Sequence, residues 1–196
     1  KSMVDILDML TAHSNRELMQ AKTIGLRTTD NIMVSDVGYS FAGCDEQLFR
    51  SLNLEFRQNR ITGIIGPSGE GKTSLIDLLM GLLKPSSGSI AFKNSLVTSD
   101  SPGWHTFFAL VPQDVFLVEA SIAENVAFGL SPEEIDYSAV VEAMKIACIY
   151  DELQKLPNGI RSKIGERGGN LSGGQRQRLG IARALYMKRP ILVLDE

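Results

Sequence analysis

Gly66-Pro-Ser-Gly-Glu-Gly-Lys-Thr73 is the most informative stretch of this sequence. It has the pattern G-x-x-x-x-G-K-[ST], and it lies between an apolar run, Ile61–Ile65, and a segment of helical periodicity, Thr73–Leu83. In a phosphate-binding loop of this kind, glycines let successive backbone N–H groups point at phosphate oxygens. The following helix N-terminus adds partial positive charge. Lys72 supplies a full charge for the β and γ phosphates, and the Thr73 hydroxyl can ligate Mg²⁺. The candidate nucleotide-binding residues here are Gly66, Pro67, Ser68, Gly69, Glu70, Gly71, Lys72, Thr73 and Ser74.

Strands and helices are predicted on both sides of this loop. Ile32–Phe41 and Leu48–Phe56 partly alternate apolar and polar residues, as half-buried strands do, whereas Ile61–Ile65 predicts a buried parallel strand. Strands alternating with helices indicate an α/β core. The helical stretch between 114 and 168 then reads as an insertion into that core. Further strands are predicted at Ser89–Phe92, Phe107–Val111 and Ile191–Leu194, and helices over much of 121–157 and over 172–188.

Composition excludes several classes of protein. The chain has 196 residues, of which 43% are apolar and 22% charged, so it is neither disordered nor a disulfide scaffold. Its net charge of −3 argues against a dedicated nucleic-acid domain. No apolar run approaches the length of a membrane span, and the first 20 residues lack the pattern of a signal peptide. We therefore expect these residues not to cross a bilayer.

Two carboxylates follow the last apolar run, Ile191-Leu-Val-Leu-Asp195-Glu196. Adjacent side chains on a strand point to opposite faces, so the two carboxylates can have different roles at a phosphate site. Asp195 is predicted to hold Mg²⁺, through water, and Glu196 to activate the water that attacks the γ-phosphate. The alternative is an ordinary strand end that meets solvent.

Leu171-Ser-Gly-Gly-Gln175 precedes a basic helix and allows two interpretations. Ser172 with Gln175 at the third helical position forms a capping box pattern. The serine hydroxyl, the amides of Gly173 and Gly174 and the helix N-terminus also make a candidate second anion site. Local chemistry leaves both open. Two further capping boxes are predicted, at Ser121–Glu124 and at Ser131–Glu134, the second with Pro132 at the first helical position.

From residue 32 to 196 the order of these motifs resembles the ATP-binding domain of an ABC transporter. Gly66–Thr73 is similar to Walker A, Gln113 in Val-Pro-Gln-Asp to the Q-loop, Leu171–Gln175 to the family signature, and Ile191–Glu196 to Walker B with its catalytic glutamate. The resemblance implies an α/β fold. This would be a P-loop NTPase core, with a mostly parallel sheet and an antiparallel β subdomain, plus an inserted helical subdomain.

Phe41 lies 25 positions before Gly66, where the family places an aromatic residue that stacks on adenine. That residue is commonly Tyr, so Tyr39 is an alternative, and either ring could simply belong to the core. Ser121–Gly129 and Ile164–Gly168 resemble the exporter-type branch of the family, in which the second of these segments touches the membrane domain. Without the resemblance, this second segment would be interpreted as a turn exposed to solvent.

The resemblance also implies a division of the chain. Residues 1–31 would be a helix and linker from a membrane domain, although the apolar spacing within residues 1–20 also suits an ordinary surface helix. The other expected parts are a first part of the nucleotide-binding core at 32–113, the helical subdomain at 114–168, and the signature helix with the Walker B strand at 169–196.

In this family two such domains face each other head to tail, with ATP and Mg²⁺ between them. The resemblance implies that Ser172, Gly173, Gly174 and Gln175 act on the partner domain's nucleotide, and that Gln113 contacts Mg²⁺ or the attacking water. The implied partners are a second ATP-binding domain and a transmembrane domain; nucleic acid is not expected. The implied place is the cytoplasmic face of a membrane, with these residues soluble.

The family continues after Walker B with a D-loop and a switch histidine. The two histidines here, His13 and His105, do not occupy that position. We therefore expect either a fragment or an incomplete domain, which binds nucleotide and fails to turn it over. Two other functions remain open at this point, a soluble ABC-type ATPase that acts on nucleic acid or in translation, and a nucleotide-binding module without turnover.

Overall fold

The computed structural model describes residues 31–44, 46–93, 95–98, 101, 103–165 and 168–195. They fall into two compact units, of which the first ends at Phe107 and the second begins at Phe108. The helix predicted within residues 1–20 and the residue Glu196 lie outside the described residues.

The first unit contains a four-stranded antiparallel sheet in the order β2-β1-β3-β4. Ile32 and Val34 on β1 are buried and Met33 between them is exposed, as expected for a sheet with one face on the core. The strands predicted from Ile32 and from Leu48 are therefore confirmed. The four strands are β1 Ile32–Tyr39, β2 Phe49–Phe56, β3 Ser87–Phe92 and β4 Ser95–Val97.

The helix predicted after the phosphate loop is present as α1, Lys72–Met80. It ends at Gly81, whose φ of 76° suits a residue without a side chain. The Trp104 indole donates a hydrogen bond to the carbonyl of Leu79 at 2.8 Å, and its ring lies 5.2 Å from that of Phe92 on β3. Trp104 thus joins the end of α1 to the sheet.

The strand predicted at Ile61–Ile65 is wrong, because the structure has irregular backbone there and Ile65 is 97% exposed. The apolar run satisfied the local pattern of a buried strand. A parallel strand also needs backbone partners from distant segments, and no strand in the described part of the chain pairs with this run.

The second unit holds a parallel pair of strands, β5 Phe108–Val111 and β6 Ile191–Leu194, as the α/β prediction requires. Helices pack around the pair and form one continuous apolar core with it. The helices are α2 Ile122–Val126, α3 Tyr137–Ile146, α4 Tyr150–Leu153 and α5 Gly173–Tyr186, with a short 3₁₀ turn at Gly159–Arg161.

Helix α5 runs through this core. At Gly180 a Cβ atom would lie 2.6 Å from Cγ2 of Val115, so the helix approaches that segment more closely than a larger residue allows. Farther along, the Arg183 guanidinium donates to the carbonyls of Asn125 (2.8 Å) and Phe116 (2.9 Å). Burial lowers the pKa of Arg183, and these carbonyls supply acceptors for its charge.

One of the two predicted helix starts before α3 is confirmed. Ser121 and Glu124 make the reciprocal bonds of a capping box at the start of α2. The helix start at Ser131 is wrong: Glu134 does reach back to the Ser131 amide (3.0 Å), but the segment forms only a turn. Asp136 accepts bonds from two backbone amides, which makes it the better N-cap, and α3 begins after it.

Candidate nucleotide-binding site

The phosphate loop has a backbone that glycine alone adopts without strain. Gly69 and Gly71 have φ angles of 85° and 91°. A Cβ atom at Gly71 would also lie 2.9 Å from Cδ2 of Leu48 and 3.0 Å from Cζ of Phe49. Two of the motif's glycines are therefore required by conformation, and one of them by space as well.

Lys72 folds back over this loop. Its ammonium group donates hydrogen bonds to the carbonyl oxygens of Gly66 (2.9 Å) and Pro67 (2.8 Å). No side chain caps α1 at Gly71, so an anion at this end can accept from the first backbone amides. The loop therefore fits a phosphate group, and Thr73 carries its hydroxyl into the first turn of the helix.

Phe41 and Tyr39 lie next to each other at the end of the β1–β2 hairpin, with their rings edge to face at 5.2 Å. Tyr39 is buried, whereas Phe41 is 47% exposed. The Leu48 amide donates to the Tyr39 carbonyl (2.8 Å), and the Leu48 side chain lies against Gly71. This end of the hairpin thus adjoins the phosphate loop, and its exposed ring is Phe41. Adenine stacking by Phe41 stays a prediction.

In the second unit, Gln113 and Asp195 lie at the same edge of the parallel strand pair. Val111 and Leu194 are register partners at the carboxyl ends of β5 and β6, and the Asp195 amide donates to the Val111 carbonyl at 2.9 Å. Gln113 follows two residues later and is exposed. α/β sheets bind ligands beyond the carboxyl ends of their strands.

The signature segment forms the predicted capping box at the start of α5. The Ser172 hydroxyl accepts from the Gln175 amide (3.2 Å), and Gln175 Oε1 accepts from the Ser172 amide (2.9 Å). Ser172, Gly173 and Gly174 are all exposed. The capping interpretation is confirmed. Exposure leaves the segment accessible to a ligand, and its role as an anion site stays a prediction.

Sequence reasoning missed a polar cluster behind this segment. Gln175 Nε2 donates to Glu152 Oε2 (3.1 Å), and Arg178 donates to both carboxylate oxygens of Glu152, at 2.7 and 3.1 Å. The hydrogen bonds from Arg178 and then Gln175 lower the pKa of Glu152. Glu152 is 23 residues before Gln175, so no local pattern could have paired them.

The predicted Mg²⁺ ligands can be compared with the oxygen donors that the structure describes. The described residues contain no group of three or more His, Cys, Asp or Glu side chains that could hold a metal alone. Mg²⁺ in phosphate sites takes one or two protein oxygens and completes its shell with phosphates and water. The Thr73 hydroxyl in the first unit and the Asp195 carboxylate in the second are each an oxygen donor of that kind, and their use as Mg²⁺ ligands stays a prediction.

A phosphate loop of this geometry, together with a carboxylate at the end of a parallel strand, defines a P-loop nucleotide-binding protein. The family model described as ABC transporter matches residues 49–196, and this chain belongs to that family, whose members bind ATP. The predicted family and the predicted P-loop fold with an antiparallel β subdomain and a helical part are thereby confirmed.

Relatives include proteins of bacteria and plants. The chain is 43% identical over 148 residues to the ATP-dependent lipid A-core flippase of Ralstonia nicotianae, a match that covers 74% of this chain and 25% of the flippase. It is 36% identical over 179 residues to ABC transporter B family member 28 of Arabidopsis thaliana, covering 89% of this chain and 25% of the relative. The chain thus spans about a quarter of the length of these relatives.

Among solved structures, a bacterial Atm1-family ABC exporter with ATP bound superposes with a TM-score of 0.76 at 32% identity. The match covers 88% of this chain and 30% of the exporter chain. Within the described residues, no helix has the length and apolar character to span a lipid bilayer.

Proposed function

We propose that this chain binds and hydrolyses ATP as the ATP-binding domain of an exporter-type ABC transporter, and so powers movement of a substrate across a membrane. The observation that carries the proposal is the phosphate loop, in which Gly71 admits no side chain and Lys72 lies over the loop carbonyls. Similarity to an ATP-dependent flippase and to an ATP-bound exporter supports the transport role.

In this proposal the residues of Walker A, Gly66–Thr73, together with Ser74 hold the triphosphate. Lys72 exchanges its two carbonyl acceptors for β- and γ-phosphate oxygens, and backbone amides of the loop donate to the same group. Phe41 stacks on the adenine from the adjoining hairpin end. These contacts fix the nucleotide before any bond breaks.

Hydrolysis requires a second set of residues in this proposal. Thr73, Asp195 and Gln113 provide the oxygens for Mg²⁺, which when bound neutralises phosphate charge. Glu196 accepts the proton of the water that attacks the γ-phosphate, and Gln113 orients that water. We assign this role to Glu196 because it directly follows Asp195 in the sequence.

The partner in this proposal is a second ATP-binding domain, placed head to tail. Ser172, Gly173, Gly174 and Gln175 then meet the nucleotide held by the partner, through one hydroxyl, two glycine amides and the N-terminus of α5.

Residues 32–113 and 169–196 form the nucleotide-binding core. Residues 114–168 form the helical subdomain, which passes the motion to a transmembrane domain, and residues 1–31 connect to it at the cytoplasmic face of the membrane.

The test is calorimetric titration of this chain with Mg-ATP, alongside a Lys72→Ala variant. Loss of the ammonium charge should weaken ATP binding by about 100-fold, in line with the removal of a charge-assisted contact to phosphate. The matched control is Lys84→Ala, since Lys84 is exposed and makes no hydrogen bond or ion pair with the described residues.

Release of phosphate from ATP is measured in the full-length protein with the same variants. ATP binding that Lys72→Ala leaves unchanged would contradict the phosphate-loop assignment. Tight binding with no phosphate release from the unmodified full-length protein would contradict the ATPase, while leaving a nucleotide-binding module.

A further inference from the structure

We propose that Glu152 is a positioning residue for the signature segment, Leu171–Gln175: it sets the orientation of the Gln175 side-chain amide and thereby the geometry that the segment presents to a nucleotide. This inference rests on the proposed function. Glu152 lies on α4, outside every motif that carries the family resemblance.

Glu152 selects one of two orientations of the Gln175 amide. A carboxylate only accepts hydrogen bonds, so Glu152 Oε2, at 3.1 Å, must face the NH₂ end of that amide. The other end is then the oxygen, which accepts from the Ser172 amide at 2.9 Å. The opposite orientation would place an NH₂ group against the Ser172 N–H and lose half of the capping box.

Arg178 fixes the carboxylate itself. Its two terminal nitrogens donate to the two oxygens of Glu152 at 2.7 and 3.1 Å, a bidentate arrangement that defines both direction and plane. Arg178 also donates to the carbonyls of Cys148 (2.9 Å) and Gly174 (3.3 Å). The guanidinium therefore joins Cys148, two residues after α3, to the helix α4 and to the signature glycine Gly174 in one cluster.

The exposure of this cluster indicates that its contacts position Gln175 and Gly174 rather than add much to the free energy of folding. The Glu152 side chain is 44% exposed and that of Arg178 is 19% exposed. Ion pairs near the surface contribute little to the free energy of folding. The same contacts are directional, and they act on Gln175 and Gly174, which stand at the exposed N-terminus of α5.

The test compares Glu152→Gln with Asp151→Asn in the full-length protein. Both changes remove one negative charge from α4, but Asp151 makes no hydrogen bond or ion pair with any described residue. A glutamine at 152 can face Gln175 with either end of its amide, so the selection is lost. We measure KM and kcat for ATP, ATP affinity of the phosphate loop in this chain, and Tm.

For Glu152→Gln we expect the KM for ATP to rise about fivefold, because closure of two domains on ATP then has to order the signature segment first. We expect kcat at saturating ATP, affinity at the phosphate loop and Tm to match those of Asp151→Asn. Glu152→Asp keeps a carboxylate, which only accepts hydrogen bonds, and its KM for ATP should therefore stay close to that of the unmodified protein.

A KM unchanged in Glu152→Gln would overturn the inference, as would a fall in Tm and kcat with no change in KM, which is the signature of a structural role. Failure of the proposed function gives a different result, since the unmodified full-length protein would then release no phosphate from ATP and the inference would fall with it.

Discussion

At the scale of single residues, Lys72 has a position that its sequence neighbours determine almost completely. The motif predicts a lysine at the start of a helix beside a glycine loop, and the structure has its ammonium within 2.9 Å of two loop carbonyls. Glu152 is the opposite case. Its partners, Gln175 and Arg178, are brought to it by the packing of α5, so only the folded chain reveals the cluster.

The role proposed for Glu196 leads to a prediction at the same scale. In the full-length protein, Glu196→Gln should keep ATP affinity and lower kcat for ATP hydrolysis by about 10²-fold or more, because the amide cannot accept the proton of the attacking water. Binding is measured by calorimetry and turnover by phosphate release.

Glu119→Gln serves as the control for that change. Glu119 is an exposed carboxylate that makes no hydrogen bond or ion pair with the described residues, and its replacement should leave both quantities within a factor of two. Turnover that survives in Glu196→Gln would assign the base to another group.

At the scale of elements, local signals predicted what local interactions build. The hairpin strands, the helix after the phosphate loop and the caps at Ser121 and Ser172 follow from alternation, periodicity and side-chain-to-backbone bonds within four residues. The errors at Ile61–Ile65 and Ser131–Glu134 came from non-local or competing interactions. A strand needs distant partners, and Asp136 outcompeted Ser131 as a cap.

The capping box of α2 gives a prediction about stability. Ser121→Ala removes the hydroxyl that accepts from the Glu124 amide, and should lower the free energy of unfolding by about 1 kcal/mol at pH 7 in urea titrations. Ser131→Ala alters a turn that starts no helix, and its cost should stay below about 0.5 kcal/mol. If both variants lowered the free energy of unfolding equally, the cap at Ser121 would stabilise the protein no more than the turn at Ser131 does.

The same variant predicts a pH effect with a defined sign. Hydrogen bonds from the side chain and then the backbone amide of Ser121 lower the pKa of Glu124 below its usual value. A lowered pKa stabilises the fold above the unfolded-state pKa, and that contribution is lost as the pH falls through the folded-state pKa. Ser121→Ala should therefore flatten the decline in unfolding free energy between pH 6 and about pH 3. An unchanged slope would show that Glu124 does not use this bond.

At the scale of the whole molecule, each of the two compact units carries sequence motifs of its own. The phosphate loop belongs to the unit that ends at Phe107, and the parallel strands with Gln113 and Asp195 belong to the unit that begins at Phe108. The motif order in the sequence assigns candidate functional residues to each unit, and their roles stay a prediction. It could not predict Glu152, because that residue joins the site only through the packing of helices within the second unit.

The proposed role of Asp195 in holding Mg²⁺ predicts that this residue contributes to the affinity for Mg-ATP. Asp195→Asn should weaken binding of Mg-ATP by about tenfold in calorimetric titrations, because an amide oxygen is a poorer Mg²⁺ ligand than a carboxylate, directly or through water. In EDTA the same variant should bind ATP as tightly as the unmodified chain or more tightly, because a negative charge has been removed from a phosphate site. Asp151→Asn carries the same loss of charge elsewhere in the second unit and should match the unmodified chain under both conditions. Weakening that persists in EDTA would mean that Asp195 supports the fold of its strand end rather than the metal.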